Sequence, residues 1–366
     1  MKTLLLIINR KYGGGAERVF EIIRQGFDQS EYKVVVLYTH QKIKLPRLVR
    51  LIYCYFKVVY FSLRHNPYII SGLHEENFLA FFAPTLKRKI LSLHNNEFPS
   101  GVIGFIHNSI YKWASKTKKI NLVTVSNGLN YAYKQKIPNF DSDVIHNSLL
   151  EKNYNFDKNL FDKNLAFKPK AMNKILLVGR FVEQKNILLA IKIFTVWQKE
   201  NKQLILTIIG KGPEKEAIKD AIKINGLSDR IILKDWTSSL NKDYEDNDIL
   251  LFSSKIEGFG NVIIEAISNG LYVFSNDCKF GPKEILFPCR NILEELKDDY
   301  ISNNLGTLIK YDIDEDEVII VDRFKRAYES FVRLNNNHFS EANKKIIYER
   351  FKTKNLIKSY KNLLEK

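Results

Sequence analysis

The stretch from Ile249 to Gly270 constrains the fold of this chain more than any other part of its sequence. It reads ILLFSSKIEGFGNVIIEAISNG, with an apolar run from Ile249 to Phe252, then small and glycine-rich residues, then apolar residues in helical spacing. This pattern predicts a buried strand, a tight loop and a helix. In a doubly wound α/β fold such a corner lies at the carboxyl end of a parallel sheet, where ligands bind.

The loop in this stretch has the composition of a site that a ligand approaches closely. Gly258 and Gly260 stand on either side of Phe259, so the backbone can turn sharply and bring amide groups near a ligand without an intervening Cβ. Asn261 is the expected cap of the following helix. The free N–H groups and positive dipole end of that helix suit a diphosphate or a sugar hydroxyl.

Two carboxylates, Glu257 and Glu265, frame the loop. Such a pair is most often a pair of solvated surface acids. Glu265, however, lies among the apolar residues of the predicted helix, so its carboxylate needs a polar partner. The segment EGFGNVIIE, continued by EA-x-x-x-G through Gly270, resembles the signature of glycosyltransferase family 4, which is a glutamate, seven residues and a second glutamate.

The resemblance implies the GT-B fold of that family of retaining enzymes. Two Rossmann-like, doubly wound α/β domains would face each other across a cleft, and the last helix would cross back to the first domain. The implied reaction transfers a hexose or N-acetylhexosamine from a UDP-sugar to a glycan acceptor, lipid-linked, in surface polysaccharide or glycoconjugate biosynthesis. Glu265 would hold the ribose and Glu257 the sugar, with no nucleophile role assigned to Glu257.

A second motif follows the apolar strand that opens at Lys174. Arg180 and Lys185 come directly after that strand, and two basic residues on one loop can reach one anion, as a diphosphate leaving group requires. Isolated basic residues are more often solvated. The run VGRFVEQKN resembles the nucleotide-diphosphate motif of the family and favours the functional interpretation.

The beginning of the chain repeats the strand, loop and helix pattern. An apolar strand from Thr3 to Ile8 leads into three glycines that include Gly14 and Gly15, which could admit a diphosphate or sugar or form only a tight turn. The run GGAER resembles the loop of the family's first domain beside the donor and acceptor. His94 follows a short apolar strand. A lone histidine is most often structural, but this one resembles the family's histidine near the transferred sugar.

These motifs give the predicted site. The catalytic residues would be Glu257, His94, Arg180 and Lys185. The donor-binding residues would be Gly14, Gly15, Arg180, Lys185, Gly258, Phe259, Gly260, Asn261, Val262 and Glu265.

The positive charge of the chain is concentrated in its first part. Residues 1–150 contain 21 Lys and Arg against 9 Asp and Glu, a net charge of +12 out of +16 for the whole chain. A basic excess implies an anionic partner. Because no nucleic-acid-binding module is recognisable, we expect an anionic membrane surface and no nucleic acid.

Two segments of this part are candidates for that contact. The segment from Leu45 to Leu63 is apolar on nearly every side and interrupted by basic residues, which makes it a poor membrane span and favours a buried helix over an interfacial one. The segment from Pro99 to Lys119 combines Phe105, Ile106, Tyr111 and Trp113 with a basic flank. It fits a membrane interface and a core helix with a solvated basic end equally well.

Length and composition predict two domains. We place an acceptor-binding domain at 1–150, a linker rich in Lys, Asn and Asp at 151–172, a nucleotide-sugar-binding domain at 173–345 and the returning helix at 346–366.

The three cysteines are too few and too scattered for a disulfide framework or a zinc site, which indicates a reducing compartment. We expect a cytoplasmic protein, peripheral on the inner face of the cytoplasmic membrane. Asp312 and Asp314 have the D-x-D form that some transferases use for a metal, but they precede a predicted helix and are expected to cap it. No metal or other cofactor is expected.

Phe280-Gly281-Pro282 stands where the family usually has Gly-Gly, which leaves the donor sugar open. Two other functions also remain open. One is a non-catalytic GT-B partner subunit, and the other is a sugar-phosphate synthase or phosphorylase of the same fold.

Overall fold

The computed structural model describes residues 1–11, 14–27, 31–40, 45–95, 101–149, 172–237, 239–334 and 341–366. The chain divides into two compact units, the first made of Met1–Ser148 with Phe351–Lys366 and the second of Leu149–Arg350. The predicted linker lies outside the described residues except for Met172, and Gly13 of the first glycine run also lies outside them.

The first unit contains a six-stranded parallel sheet. Its strands are β1 Lys2–Ile8, β2 Tyr32–Tyr38, β3 Tyr68–Gly72, β4 Lys89–Leu93, β5 Ile120–Thr124 and β6 Asp143–Val144. The helices among its first 148 residues are α1 Gly15–Gly26, α2 Arg47–His65, α3 His74–Phe82, α4 Gly101–Ala114 and α5 Asn127–Lys136. The strand order is β2-β1-β3-β4-β5-β6. Strands such as β1 are continuous apolar runs because helices cover both faces of a parallel sheet.

The second unit contains a seven-stranded sheet. Its strands are β7 Lys174–Val178, β8 Ile205–Gly210, β9 Ile231–Asp235, β10 Ile249–Phe252, β11 Tyr272–Asn276, β12 Tyr300–Ser302 and β13 Gly306–Ile309. Its helices are α6 Ile187–Glu200, α7 Lys215–Ile224, α8 Asn241–Glu245, α9 Asn261–Ser268, α10 Pro282–Leu286 and α11 Glu317–Arg333. The order is β12-β13-β11-β10-β7-β8-β9, and only β12 runs antiparallel to its neighbour. The predicted pair of doubly wound α/β domains is confirmed.

Aromatic side chains fill the core of the second unit beneath α6 and α11. The Trp197 ring is fully buried and stacks on Tyr328 with ring centroids 4.6 Å apart. The Trp197 indole N–H donates to the backbone carbonyl of Phe324 over 3.0 Å, which satisfies its only polar group. This core fixes the sheet whose carboxyl edge is described below.

The last part of the chain forms two helices, α12 Glu341–Phe351 and α13 Thr353–Glu365, where the sequence pattern predicted one. Helix α13 belongs to the first unit and packs against α1 and β4. The Tyr32 hydroxyl donates to Glu365 Oε1 over 2.7 Å, which joins β2 to the end of the chain. The predicted return of the final helix to the first domain is therefore confirmed.

Helix α2 differs from the buried helix that the sequence favoured. Only Cys54, Val58 and Ser62, spaced four residues apart, are buried, and the opposite side of the helix is exposed. Helix α4 has one buried and one exposed face. Tyr111 lies on the buried face, with its hydroxyl 2.9 Å from His74 Nδ1, so of the four apolar and aromatic residues named in this segment it is the one that packs inward.

Candidate active site

Strands β7 and β10 are neighbours at the point where the order of the second sheet reverses. From β7 the chain moves outward through β8 and β9, and it then returns to place β10 on the other side of β7. The two strands pair in parallel, with Ile175 opposite Ile249. The loops at their carboxyl ends therefore meet at a topological switch point, which is where open α/β sheets bind ligands.

Backbone and side-chain hydrogen bonds join these two loops. The Gln184 side-chain amide donates to the carbonyl of Ile256 over 2.8 Å, and the Lys255 N–H donates to the Gln184 carbonyl over 2.8 Å. The Ser253 hydroxyl lies 3.1 Å from the carbonyl of Lys185 and 3.0 Å from that of Asn186. The site thus has a fixed backbone frame before any ligand binds.

Within this frame Lys185 and Glu257 form an ion pair. Both side chains are largely buried, with 16% of Lys185 and 10% of Glu257 exposed. The ion pair fixes the Glu257 carboxylate and the Lys185 ammonium relative to each other. The absence of a nucleophile role for Glu257 stays a prediction.

The glycine loop and the start of α9 differ in one detail from the prediction. Helix α9 begins at Asn261, and its N-cap is Gly260, not Asn261. Gly260 has a φ of +96°, a left-handed conformation that favours glycine. Phe259 is buried, and Val262 is partly exposed at the first turn of the helix.

Gly281 supports this loop from the segment that follows the neighbouring strand β11 and caps α10. Its φ is +107°, and a Cβ at this position would lie 1.8 Å from the carbonyl oxygen of Phe259. No side chain fits there, so the Phe280-Gly281-Pro282 run provides a backbone surface on which the glycine loop rests.

Glu265 has the polar partner that its burial requires. The Tyr244 hydroxyl on α8 donates to Glu265 Oε2 over 2.8 Å, and only 4% of Glu265 is exposed. Tyr244 is itself 2% exposed. This contact orients one carboxylate oxygen of Glu265 on the second turn of α9.

Arg180 lies on the loop after β7 and is exposed. Its Nη2 donates to Gln184 Oε1 over 3.2 Å, and Gln184 in turn contacts the β10 loop. Arg180 and Lys185 therefore belong to one short segment, as predicted, with Lys185 inside the loop and Arg180 at its rim.

The glycine loop of the first unit lies after β1. The backbone N–H of Gly14 in this loop is hydrogen-bonded to a side chain of the following helix. Gly14 is the N-cap of α1, and its N–H donates to Glu17 Oε2 over 2.8 Å. Gly15 is the first residue of the helix. Glu17 thus caps the helix.

His94 directly follows β4 at the carboxyl edge of the first sheet. Its Nε2 lies 2.9 Å from the Ser92 hydroxyl, which is 3.2 Å from the Tyr360 hydroxyl of α13. Burial lowers the pKa of His94 to about 4, so the imidazole is neutral at neutral pH. Its Nδ1 is buried and has no hydrogen-bond partner within the described part of the chain.

Asp312 and Asp314 are exposed and form a turn in which the Asp314 N–H donates to Asp312 Oδ1 over 3.1 Å. The residue that caps α11 is Asp316, whose carboxylate accepts a hydrogen bond from the Val318 N–H over 2.9 Å. The prediction that Asp312 or Asp314 caps this helix is therefore wrong by a few residues within the same acidic run. Among the residues that the structure describes, no group of three or more His, Cys, Asp or Glu is placed to hold a metal ion.

Sequence reasoning did not single out Tyr244, Gln184 or Ser253. Gln184 lies inside the quoted VGRFVEQKN run, so its position beside two predicted basic residues was an available signal. Tyr244 lies 21 residues before Glu265 on a five-residue helix, and no pattern in the sequence connects the two.

The chain is similar to known glycosyltransferases in sequence and in fold. Residues 158–291 match the family model described as glycosyl transferases group 1. An uncharacterised glycosyltransferase of Methanocaldococcus jannaschii is 25% identical over 292 residues, 72% of this chain and 69% of that protein. The N-acetylgalactosamine-N,N'-diacetylbacillosaminyl-diphospho-undecaprenol 4-alpha-N-acetylgalactosaminyltransferase of Campylobacter jejuni is 30% identical over 123 residues, but the match spans only 34% of this chain and 32% of that protein.

Among solved structures, the Anabaena protein HepE in complex with UDP and glucose matches with a TM-score of 0.73 over 100% of both chains, at 16% sequence identity. At this identity the likeness establishes the fold, which is that of the GT-B glycosyltransferases.

Proposed function

We propose that this chain, whose residues 158–291 match the group 1 glycosyltransferases and whose fold is GT-B, is an enzyme that transfers a hexose or N-acetylhexosamine from a UDP-sugar to a glycan acceptor. The acceptor is lipid-linked, the product has the retained configuration, and the reaction belongs to the biosynthesis of a surface polysaccharide or glycoconjugate. The observation that carries the proposal is the meeting of Lys185, Glu257 and the α9 loop at the switch point of the second sheet.

The donor diphosphate is assigned to the two basic residues of the β7 loop. The Lys185 ammonium has three donors, so it can keep its ion pair with Glu257 and still bind a phosphate oxygen. Arg180 at the rim can add a bidentate contact. Fixed cations at the leaving group stabilise the charge that develops there as the glycosidic bond breaks.

The nucleoside and the sugar are assigned to the two glutamates. Glu265, oriented by Tyr244, accepts hydrogen bonds from the ribose hydroxyls. Glu257 and the backbone of residues 258–261 hold the sugar. UDP is favoured as the nucleotide because the HepE structure of the same fold contains UDP and glucose.

Retention is assigned to a reaction on one face of the sugar. We assign Glu257, which is paired with Lys185, no nucleophile role. The acceptor oxygen forms its bond to the anomeric carbon on the face from which the phosphate departs, and the leaving phosphate accepts the proton of the acceptor hydroxyl. The role of His94 near the transferred sugar rests on the resemblance to the family alone. No metal is required in this scheme, because the two basic residues neutralise the diphosphate.

The lipid-linked acceptor is favoured by the relative from Campylobacter jejuni, whose name specifies a diphospho-undecaprenol acceptor. We accordingly place the protein at the inner face of the cytoplasmic membrane as a peripheral protein. No helix in the described ranges is long and apolar enough to cross a membrane.

A donor screen tests the proposal. Purified protein is incubated with UDP-glucose, UDP-galactose, UDP-N-acetylglucosamine, UDP-N-acetylgalactosamine and GDP-mannose, and thermal shift and nucleotide release are measured, with and without EDTA. We expect one UDP-sugar to give both signals, and EDTA to leave them intact. Loss of activity with EDTA that Mn²⁺ restores would contradict metal independence, and stabilisation without release would favour a non-catalytic partner subunit.

A pair of variants tests the cation assignment. Lys185→Met and Arg180→Met remove the charges and keep much of the apolar side chain, so turnover should fall about tenfold or more in each through lost charge stabilisation. Lys192→Met, which removes an exposed lysine of α6 paired with Glu317, is the control and should retain activity. Full activity in the doubly substituted protein would exclude both basic residues from the site.

A further inference from the structure

The outward face of α2 is apolar along its whole length, although no part of the described chain covers it. Its exposed side chains have between 41% and 71% of their surface accessible and are Leu48, Val49, Ile52, Tyr53, Phe56, Tyr60 and Leu63. They lie opposite the buried stripe of Cys54, Val58 and Ser62. In a soluble monomer a surface helix normally presents polar residues on this side. The pattern is therefore reversed, with apolar groups toward solvent.

Helix α4 continues this surface on the same side of the sheet. Its exposed side chains, between 40% and 76% accessible, are Val102, Ile103, Phe105, Ile106 and Trp113. Helix α3 packs against both α2 and α4, and Phe81 on α3 lies with its ring centroid 5.9 Å from that of Trp113. We call the exposed apolar side chains of α2 and α4 the outer apolar surface. Apolar patches of this extent usually mark an interaction site.

The charge of the same helices indicates what covers this surface. The sequences of α2 and α4 contain no Asp or Glu, whereas α2 has two arginines and a lysine beyond its first residue, and α4 has Lys112. The Lys57 ammonium lies 4.5 Å from the centroid of the Tyr53 ring, and Arg64 Nη1 donates to the Tyr60 hydroxyl over 2.9 Å. The basic groups thus border the apolar stripe and are in contact with its aromatic members.

We propose that the outer apolar surface docks the first unit on an anionic lipid bilayer, with α2 lying in the headgroup layer. This inference rests on the proposed function, since a lipid-linked acceptor is presented at such a bilayer. An interfacial helix buries its apolar face at the boundary of headgroups and acyl chains, and its basic residues bind anionic headgroups. Both parts of that arrangement are present in α2.

A second copy of this chain fits the surface less well. A two-fold contact between two outer apolar surfaces would bring the basic residues of one copy, Lys57 and Arg64 among them, against helices of the other copy that are also basic and contain no Asp or Glu. Like charges at an interface oppose association. An anionic bilayer meets the same groups with the opposite charge.

Vesicle co-sedimentation tests the proposal with a matched pair of double variants. Phe56→Glu with Tyr60→Glu alters the outer apolar surface at two positions that are 65% and 64% exposed. Ile224→Glu with Val332→Glu changes the net charge identically at positions of the second unit that are 83% and 56% exposed. The vesicles are phosphatidylcholine with or without phosphatidylglycerol, at low and high salt.

We expect the wild type and the second-unit variant to bind vesicles that contain phosphatidylglycerol, and to do so less at high salt. The α2 variant should bind at least about tenfold more weakly, because it loses apolar contact and gains repulsion from the anionic surface. Equal binding by the two variants would overturn the proposal, as would wild-type binding that is the same with and without phosphatidylglycerol.

Light scattering and calorimetry distinguish lipid docking from self-association and from a failure of the proposed function. Light scattering without lipid should give a monomer for the wild type, and a dimer that the α2 variant abolishes would assign the surface to a second copy and overturn the proposal. Calorimetric UDP affinity should be unchanged in both variants. Absence of UDP binding in every protein, with vesicle binding as expected, would contradict the proposed function while leaving the docking surface supported.

Discussion

At the scale of single residues, the contact between Tyr244 and Glu265 gives a buried carboxylate a hydrogen-bond donor. The Tyr244 hydroxyl orients one oxygen of Glu265, which lies on a helix whose other buried residues are mostly apolar. A carboxylate in such a place needs hydrogen-bond donors to offset its desolvation. The nucleotide hydroxyls would supply donors of this kind.

We therefore predict a graded effect on UDP affinity. Glu265→Ala should weaken binding by about 1–3 kcal/mol because the ribose hydroxyls lose their acceptor, and Tyr244→Phe should weaken it by about 1 kcal/mol because the acceptor remains but is less well oriented. Isothermal titration calorimetry with UDP measures both. Tyr328→Phe, in the core of the same unit and away from the loop, serves as the control. Unchanged affinity in Glu265→Ala would rule out the ribose assignment.

The buried His94 leads to a prediction about pH. Its pKa is about 4 in the folded protein because burial disfavours the cation, whereas an exposed histidine has a pKa of about 6.5. Between these values the unfolded chain binds a proton that the folded protein does not bind. The free energy of unfolding contributed by this group therefore decreases as the pH falls from about 6.5 to about 4.

His94→Gln removes this titration, so its stability should decrease less over that pH range than that of the wild type, by on the order of 2–3 kcal/mol. Urea unfolding at pH 7 and at about pH 4.5 measures the difference. Burial raises the pKa of Glu76 to about 7, so this group makes the free energy of unfolding increase as the pH falls. It does so in both proteins, and comparing them therefore isolates the effect of His94. Identical pH dependence in the two proteins would contradict the prediction.

Much of the site at this scale could be predicted from the sequence, because the relevant residues lie in short segments directly after apolar strands. Lys185, Glu257 and Glu265 are of this kind. The ion pair between the first two depends on β10 inserting beside β7, which is a long-range pairing that spacing does not reveal. Tyr244 and the close approach of Gly281 to Phe259 depend on tertiary packing in the same way.

At the scale of elements, most strands and helices could be predicted because buried parallel strands are continuous apolar runs. Strands β12 and β13 were missed, since they are three and four residues long and carry little periodic signal. The side on which α2 is buried could not be predicted either. Apolar residues on nearly every side of a helix do not distinguish a helix buried in the core from one with an apolar face toward solvent.

The loop between β10 and α9 depends on one backbone contact, and this contact predicts an effect on stability. Gly281→Ala places a methyl group against the Phe259 carbonyl at a positive φ, so the glycine loop must move. We expect a loss of about 3 kcal/mol or more in the free energy of unfolding, together with weaker UDP binding.

Gly226→Ala is the matched control. Gly226 also has a positive φ, of +65°, but an added Cβ would meet nothing within 4 Å. It should cost only about 1–2 kcal/mol, the cost of the left-handed backbone alone, and leave UDP affinity unchanged. Thermal unfolding and calorimetry compare the two proteins. Equal losses of stability would show that the backbone contact to Phe259 carries no extra energy.

At the scale of the whole molecule, the chain crosses twice between its two units, so the first unit is completed only by the last residues. Helix α13 supplies the buried side chains Leu356, Ile357, Tyr360, Leu363 and Leu364 to the first unit. The second unit is built from one continuous segment, Leu149–Arg350, and does not include α13. The two units should therefore respond differently to loss of the end of the chain.

We predict that a chain ending at Arg350 loses the folded first unit and keeps the second. Each of the five apolar side chains buried by α13 contributes about 1.5 kcal/mol or more, which together equals a large part of the 5–15 kcal/mol that stabilises a typical domain. Hydrogen exchange of β4 and β10 measures the two units separately. Protection should be lost in β4 and retained in β10, and UDP should still bind.

Tyr360→Phe in the full-length chain is the control. It removes only the hydroxyl 3.2 Å from Ser92, and it should leave β4 protected. Retained protection of β4 in the truncated chain would mean that the first sheet is stable without α13, and uniform loss in both strands would mean that the second unit does not fold independently.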